Sequence, residues 1–196
     1  MDSKLNPEYW NARYQKQDIP WDMGSPSPSL VYLADTYIPK DARILIPGAG
    51  LAHEANYLHQ NGYTQIFVCD WAAAAIQAVR EFIPGIPDSN LLHSDFFELE
   101  MEFDFMLEQT FFCAIDRGLR EAYVKKVHSL LAPGGQIGGL LFGVEMPGEG
   151  PPFGGSKSEY EKLFTPYFDI RLMEVSAYSI KPRAGSELLF LMTKNT

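Results

Sequence analysis

The sequence has few of the residues that mark metal-binding, secreted or membrane proteins. Only two cysteines and four histidines occur among 196 residues, and they are scattered along the chain. No apolar stretch approaches the roughly 20 residues that cross a bilayer, and the N-terminal MDSKLNPEYW lacks the apolar region of a signal peptide. We therefore expect buried, reduced thiols, no metal site, no membrane partner and a cytoplasmic location.

Basic residues are also scarce. Sixteen Lys and Arg stand against 25 Asp and Glu, which gives a net charge of −9 and disfavours a nucleic-acid partner. The length and the hydrophobic content of 46% predict a single domain over residues 1–196. The expected partner is a small molecule. The oligomeric state stays open, and a monomer is compatible with the sequence.

A strand, turn, helix and strand between residues 42 and 70 organise the rest of the chain. An apolar run at 44–46 is followed by PGAG at 47–50, a helical pattern, and a second apolar run that ends at Asp70. Glycines let a ligand approach the backbone closely, and an acid about 20 residues later binds ribose hydroxyls. The unit predicts a nucleotide-like cofactor, with a ligand-free sheet turn as the alternative.

The spacing of the small residues bears on which cofactor is bound. The dinucleotide fingerprint G-x-G-x-x-G/A needs a third small residue where this chain, after Gly48 and Gly50, has His53. The bulk of His53 argues against a pyrophosphate, and so against nicotinamide-dependent reduction. The run fits better the G-x-G-x-G/A loop of S-adenosylmethionine methyltransferases.

Residues 1–30 carry aromatic side chains ahead of the predicted sheet. Trp10 and Tyr14 lie one turn apart on a predicted helix at 8–17, and Trp21 follows in a segment with three prolines. In one interpretation these rings pin an N-terminal arm onto the sheet. In the other they form a lid over a cationic ligand such as a sulfonium, which a Trp face attracts by about 0.5–2 kcal/mol.

Beyond Asp70, apolar strands alternate with helices. This alternation predicts parallel strands with right-handed crossovers, and the last two strands must pair as an antiparallel hairpin. The expected fold class is α/β, a Rossmann-like, doubly wound, mostly parallel seven-stranded sheet with an antiparallel C-terminal strand. The predicted helices cover 29–38, 72–82, 117–131 and 156–166, and the remaining strands cover 90–93, 103–109, 136–144, 170–178 and 188–193, with a turn at 132–135.

An acid followed by aromatic residues ends the strand at 90–93. Asp95 and Phe96 suit an adenine, because the carboxylate accepts from the exocyclic amine and the ring packs on the base. These two residues therefore extend the candidate cofactor site.

Several motifs together resemble one family. They are YWNARYQKQDIPWDMG, LIPGAGLAHE, FVCDW, HSDFF, EQTFFCAI, GPPF and PRAGSE, which run from about residue 9 to about residue 190. The chain resembles the thiopurine S-methyltransferase superfamily, and most closely its halide/thiol methyltransferase branch. The resemblance implies methyl transfer from S-adenosylmethionine.

The resemblance also implies a cofactor site. Tyr14 stands where relatives often have Trp, and Gln109 replaces the aromatic member of an acid–aromatic pair near the methyl group. The implied cofactor residues are Trp10, Tyr14 and Trp21 in the arm, Gly48 and Gly50 at the methionine end, Asp70 at the ribose, Asp95 and Phe96 at the adenine, and Glu108 and Gln109 near the methyl group.

The implied catalytic residues are Arg120, Tyr123 and Gln109. Thiopurine members have an Arg directly before this Tyr, whereas here Ala122 precedes it and the nearest Arg is Arg120, as in the halide/thiol branch. Arg120 either attracts an anion such as iodide, bisulfide or thiocyanate or is a solvated helix charge, and Arg183 has the same two interpretations. A small apolar pocket would be walled by Phe111, Phe112 and Phe153.

These features favour methyl transfer to a small soft nucleophile, namely a halide, bisulfide, thiocyanate or thiol. Such an anion already carries its charge and needs no general base. Two alternatives remain open. One is methylation of a larger aromatic or heterocyclic thiol, and the other is a non-catalytic protein that senses S-adenosylmethionine or its demethylated product.

Replacing Asp70 with Ala should weaken cofactor binding strongly, because the ribose hydroxyls would lose their carboxylate acceptor. Calorimetric titration with S-adenosylmethionine checks this expectation. An unchanged affinity would refute the assignment of Asp70.

Overall fold

The computed structural model describes residues 5–48 and 50–195, which form one seven-stranded sheet with helices on both faces. The spatial order of the strands is β3-β2-β1-β4-β5-β7-β6. The strands are β1 (Arg43–Pro47), β2 (Gln65–Asp70), β3 (Leu91–His93), β4 (Phe103–Gln109), β5 (Leu131–Phe142), β6 (Phe168–Val175) and β7 (Glu187–Lys194). The helices are α1 (Pro7–Gln15), α2 (Pro28–Tyr37), α3 (His53–Gln60), α4 (Ala73–Phe82), α5 (Arg120–Leu130) and α6 (Lys157–Phe164).

The strand directions confirm the predicted fold class. β1 pairs in parallel with both β2 and β4, and β4 pairs in parallel with β5. β7 runs antiparallel to both of its neighbours, β5 and β6, so the reversed strand lies inside the sheet. The strand order reverses at β1 and β4, and ligands of open α/β sheets bind in the crevice above such a switch point.

Apolar residues cover both faces of the sheet, as the near-continuous apolar runs require. In β1, Ile44 and Ile46 pack on the face covered by α2, α3 and α4, whereas Leu45 packs on the face covered by α5 and α6. Cys69 and Cys113 are buried and unpaired. In the described part of the chain, every helix is too short or too polar to cross a membrane.

The predicted turn at 132–135 is wrong as a separate element, because these residues lie within β5. Phe103 pairs with Leu131 but Phe105 pairs with Gln136, so the register shifts and β5 bulges between the two pairs. Gly134 in this bulge has a φ of +75°, a backbone conformation that glycine adopts without steric cost. The predicted helix at 117–131 also divides, into a 3-10 turn at Arg117–Leu119 and then α5.

Gly139 lets β5 lie against β4 under the switch point. A Cβ atom at Gly139 would overlap the carbonyl oxygen of Glu108, which is main chain and cannot rotate away. Glu108 and Gly139 are register partners in the central parallel pair of strands. Because position 139 has no side chain, β5 lies close to β4, and this close approach determines the position of Glu108 and Gln109, the last two residues of β4.

The Gly139→Ala variant should lose about 3 kcal/mol or more of the free energy of unfolding, because the added methyl group forces the two strands apart. Urea denaturation measures this loss. Gly118→Ala is the control, because Gly118 is exposed and its nearest neighbour is the flexible Asp116 carboxylate. Its change should stay within about 0.5 kcal/mol, and similar losses in both variants would contradict the proposed backbone overlap.

Candidate functional site

The glycine turn after β1 forms the floor of the candidate site. Gly48, Gly50 and Ala52 have φ values of +58°, +57° and +56°, so the chain uses left-handed conformations three times before α3 begins. Ala49, between the glycines, lies outside the described residues. A Cβ atom at Gly48 would meet Phe111 Cδ2 at 2.5 Å, so glycine allows this ring to lie on the turn. At Gly48 and Gly50 the turn therefore presents bare backbone to the neighbouring rings.

Asp70 lies beside this turn at the end of β2. Its Oδ1 accepts from the backbone N–H of Ala72 at 2.8 Å, which fixes the carboxylate at the start of the next segment. Burial raises the pKa of Asp70 to about 6, and hydrogen bonds from backbone N–H groups oppose that rise. The sequence-predicted ribose acid is thus a buried carboxylate held over the carboxyl ends of the strands.

The aromatic rings of the arm meet above Gly50. Trp21 has edge contacts with Trp10 and Tyr14, at centroid separations of 5.4 and 5.8 Å. A Cβ atom at Gly50 would lie 3.7 Å from Tyr14 Oη and 3.8 Å from Trp21 Nε1. Burial raises the pKa of the Tyr14 hydroxyl, and the charge of Asp70 raises it further. Tyr14 and Trp21 therefore lie at the glycine turn, and Trp10 packs against Trp21.

Four side-chain hydrogen bonds tie the arm to three other segments, namely α3, α4 and the segment before β7. They join Asn11 Oδ1 to the N–H of Ala74 at 3.0 Å, Asp22 Oδ1 to His53 Nε2 at 2.8 Å, Glu54 Oε1 to the N–H of Ser27 at 2.8 Å, and an Arg183 guanidinium N–H to the carbonyl of Trp21 at 3.0 Å. The first of these caps α4 from the arm, because the N-cap residue Ala72 supplies no side-chain cap. The N-terminal arm is thus part of the folded domain.

An open cleft lies between the arm and the glycine turn. Asp22 and Glu54 place carboxylates on its wall, Leu30 contributes apolar surface, and Gln109 lies at the β4 side. Burial raises the pKa of Glu54. The cleft combines acidic groups, aromatic rings and exposed backbone, which suits an organic cation larger than a metal ion.

The carboxylate of Glu108 is buried beside the cleft. Its Oε1 accepts from the backbone N–H groups of Phe111 and Phe112, both at 3.1 Å, and its Oε2 accepts from the Tyr123 hydroxyl at 3.1 Å. Glu108 is 1% exposed. It therefore shapes the segment after β4, in which Thr110 has a φ of +62°.

The family model described as Thiopurine S-methyltransferase (TPMT) matches residues 5–194. The chain belongs to the thiopurine S-methyltransferase family. The resemblance seen in the motifs is confirmed, and the chain is an S-adenosylmethionine-dependent methyltransferase.

Curated relatives of this family cover most of the chain. "Probable thiol methyltransferase 2" of Arabidopsis thaliana is 29% identical over 185 residues, which cover 92% of this chain and 82% of that protein. "Thiocyanate methyltransferase 1" of Brassica oleracea is 29% identical with the same coverage. "Thiopurine S-methyltransferase" of Acinetobacter baylyi is 26% identical and covers 96% of this chain and 99% of its own.

Solved structures share the fold. The 1,6-didemethyltoxoflavin-N1-methyltransferase of Burkholderia thailandensis, solved with S-adenosylhomocysteine bound, superposes with a TM-score of 0.74 at 18% identity. The alignment covers 98% of this chain and 88% of that one. A TehB-like methyltransferase from Corynebacterium glutamicum gives 0.69 at 16% identity, covering 97% of this chain and 100% of that one. These similarities support the α/β class expected from the sequence.

Three residues that the family resemblance placed at the site lie in or near the core of the structure. Tyr123 is fully buried, and Phe96 is 3% exposed and stacks on the Tyr123 ring at a centroid distance of 5.5 Å. Asp95 is half-buried, and its Oδ1 accepts from the N–H of Phe97 at 2.9 Å. Phe111, which contacts both Phe96 and Tyr123, is the ring that reaches the glycine turn.

Arg120 connects α5 to the loop that follows β5. Its guanidinium donates to the carbonyls of Phe153 and Gly154 at 3.2 and 3.0 Å, and it lies 4.7 Å from the Phe112 ring centroid. Its Nε is buried and has no hydrogen-bond partner among the described residues. In this conformation the Arg120 guanidinium is therefore half-buried and hydrogen-bonded to the loop, and it is not a solvent-exposed charge on the helix surface.

Sequence reasoning missed several groups that build the site. The sequence indicates a bulky, structural role for His53, and the structure adds that its Nε2 bonds to Asp22 of the arm. Asn11 and Met23 carried no signal in the sequence, because their partners Ala74 and Gln109 lie 63 and 86 residues away. Such contacts depend on how the arm folds back over the sheet.

Glu108 makes a pH-dependent contribution to stability. Burial raises its pKa from the ordinary 4.5 to about 7, so between these pH values the folded protein retains a proton that the unfolded chain has released. The free energy of unfolding therefore falls as the pH rises through this window. In Glu108→Gln the amide oxygen keeps both backbone N–H partners, and this pH dependence disappears.

The measurement is the free energy of unfolding of wild type and Glu108→Gln across pH 4.5–8. The difference between the two proteins should change by on the order of 1–3 kcal/mol in favour of the variant as the pH rises. A constant difference would show that Glu108 has the same pKa in the folded and unfolded states.

Proposed function

We propose that this methyltransferase transfers the methyl group of S-adenosylmethionine to a small soft nucleophile: a halide, bisulfide, thiocyanate or thiol. The observation that carries the proposal is the separation of charge across the site. Asp22, Glu54 and Asp70 surround the glycine turn, whereas Arg120, whose buried Nε has no hydrogen-bond partner among the described residues, lies 4.7 Å from the Phe112 ring in the segment after β4. The first side suits a cationic donor and the second an anionic acceptor.

The positive side is evident at Cys113. Burial and the charge of Glu108 raise the pKa of this thiol, whereas the guanidinium groups of Arg183 and Arg120 oppose that rise. Arg183 is paired with Glu187, at 3.4 Å between Nη1 and Oε1, so Arg120 is the cation that favours negative charge in the segment after β4. Phe111 and Phe112 come from the same segment, so an anion there would lie among apolar rings.

The residues around the glycine turn fit the methyl donor. S-adenosylmethionine supplies an electrophilic methyl group on a sulfonium, and we assign that cation to the rings of Trp10, Tyr14 and Trp21. Gly48 and Gly50 let the methionine end approach the backbone.

The nucleoside end is assigned to the edge of β2 and β3. Asp70 accepts hydrogen bonds from the ribose hydroxyls, and Asp95 accepts one from the adenine amine. Phe96 supports the base through the Phe111 ring. Glu108 and Tyr123 position the segment after β4 by their hydrogen bonds. The arm covers the assembled site.

The chain contributes alignment and removal of water. Methyl transfer is an in-line displacement, and its rate depends on holding acceptor, methyl group and leaving sulfur in line. The arm and the phenylalanines exclude water from an acceptor whose charge is lost as the new bond forms. A soft anion suits this site, because it needs no side chain to remove a proton.

The names of the relatives are compatible with either a small anionic acceptor or a larger heterocyclic thiol. Two plant proteins at 29% identity are named for thiols or thiocyanate, and the bacterial protein at 26% identity is named for thiopurines. A larger heterocyclic thiol is therefore the second candidate. The replacement of the family's aromatic residue by Gln109 favours the smaller acceptor, because it lines the cleft with an amide instead of a ring for stacking.

The test is headspace detection of methyl iodide or methanethiol from purified protein, S-adenosylmethionine and iodide or bisulfide. We expect product well above the no-enzyme control. Thiophenol in a parallel reaction tests the larger acceptor. No volatile product together with methylated thiophenol would refute the small-anion proposal, and S-adenosylhomocysteine binding without any turnover would favour a sensor.

A further inference from the structure

Gln109 and Met23 meet in the cleft through an unusual pair of atoms. The side-chain amide of Gln109 donates from Nε2 to the thioether sulfur of Met23 at 3.7 Å, and both residues line the cleft. Gln109 is the last residue of β4 and is register partner to Leu140, and the chain turns away at Thr110. The amide is therefore held at the carboxyl edge of the sheet, next to the glycine turn.

Met23 is held just as firmly. Before it, the carbonyl of Trp21 accepts from Arg183 and Asp22 binds His53, and beyond it the N–H of Ser27 donates to Glu54. These anchors fix the arm on both sides of Met23. The sulfur therefore lies at a defined place in the cleft.

A thioether sulfur is a poor partner for this amide. It is neutral and a weak acceptor, so the N–H group gains little from the contact. Hydrogen bonds to charged acceptors are roughly twice as strong as those between neutral groups. An anionic sulfur or halide that reaches the same amide would displace Met23 readily.

We propose that the Gln109 side-chain amide binds the acceptor anion, and that Met23 Sδ occupies the position taken by the reacting sulfur or halide atom. This inference rests on the proposed function and specifies the residue that selects its substrate. Gln109 lies where the acidic cleft meets the segment after β4 that Arg120 contacts, so the acceptor class it favours is a soft monoanion small enough to fit at this boundary.

The reaction conserves charge and needs no proton transfer. A lone pair of the acceptor anion forms the bond to the methyl carbon, the bond from that carbon to the sulfonium breaks, and its electron pair returns to the leaving sulfur. The acceptor loses its charge along this path, so its hydrogen bond to Gln109 is strongest before the reaction. Gln109 therefore lowers KM and contributes little to kcat.

The decisive variant is Gln109→Met, which keeps the length of the side chain and removes the donor. We expect the KM for iodide and bisulfide to rise roughly 10-fold or more, with kcat changed less than about twofold. Gln109→Glu keeps the shape and adds a repelling charge, so its KM should rise further. Gln77→Met is the matched control, because Gln77 is an exposed α4 residue bonded to Glu81, and it should behave as wild type.

A binding measurement separates this role from a structural one. Calorimetric titration of iodide into the complex with S-adenosylhomocysteine should show the same fold-loss in Gln109→Met, while the affinity for S-adenosylhomocysteine itself stays unchanged. A fall in kcat at constant KM, or an equal loss of S-adenosylhomocysteine affinity, would overturn the assignment of Gln109 to the acceptor.

The two proposals fail in different ways. If the wild-type protein binds S-adenosylhomocysteine but methylates no small anion, the proposed function is wrong. If wild-type protein and Gln109→Met turn over iodide with the same KM, the function stands and the inference about Gln109 is wrong.

Discussion

The buried carboxylate of Glu108 organises the segment on which the site depends. It accepts hydrogen bonds from the backbone of Phe111 and Phe112 and from the hydroxyl of Tyr123, so strand β4, the following turn and helix α5 converge on one side chain. Removing a carboxyl group from water is costly, and these three donors offset that cost. Phe111 then lies on Gly48, which only a glycine permits. One polar group thereby sets the distance between the aromatic rings and the glycine turn.

The N-terminal arm forms the other side of the site. The arm carries Trp10, Tyr14, Trp21 and Met23, and its contacts reach α3, α4, β4 and the segment before β7. A sheet edge alone would leave a cationic ligand open to water. With the arm in place, acidic, aromatic and amide groups surround one cleft.

The local pattern of the sequence predicted the fold well but the site only in part. Apolar runs and glycine turns predicted all seven strands, because a strand that is buried on both faces is almost continuously apolar in sequence. The bulge in β5 was missed, because the APGG stretch at 132–135 looks like a turn unless the register of the neighbouring strand is known. Trp21 and Arg183 are 162 residues apart, and Tyr123 could be recognised as a partner of Glu108 only in three dimensions. Family resemblance located these residues, while the structure showed which atoms they contact.

The hydrogen bond that caps α4 links this helix to α1 in the N-terminal arm. Asn11 supplies the acceptor that α4 lacks at its first turn, two residues after the backbone that fixes Asp70. A cap of this kind contributes about 1 kcal/mol to a helix. Truncations or bulky fusions that displace α1 would therefore fray the start of α4 as well as expose the cleft, so a shortened protein would lose nucleoside affinity even with every residue from β1 onward intact.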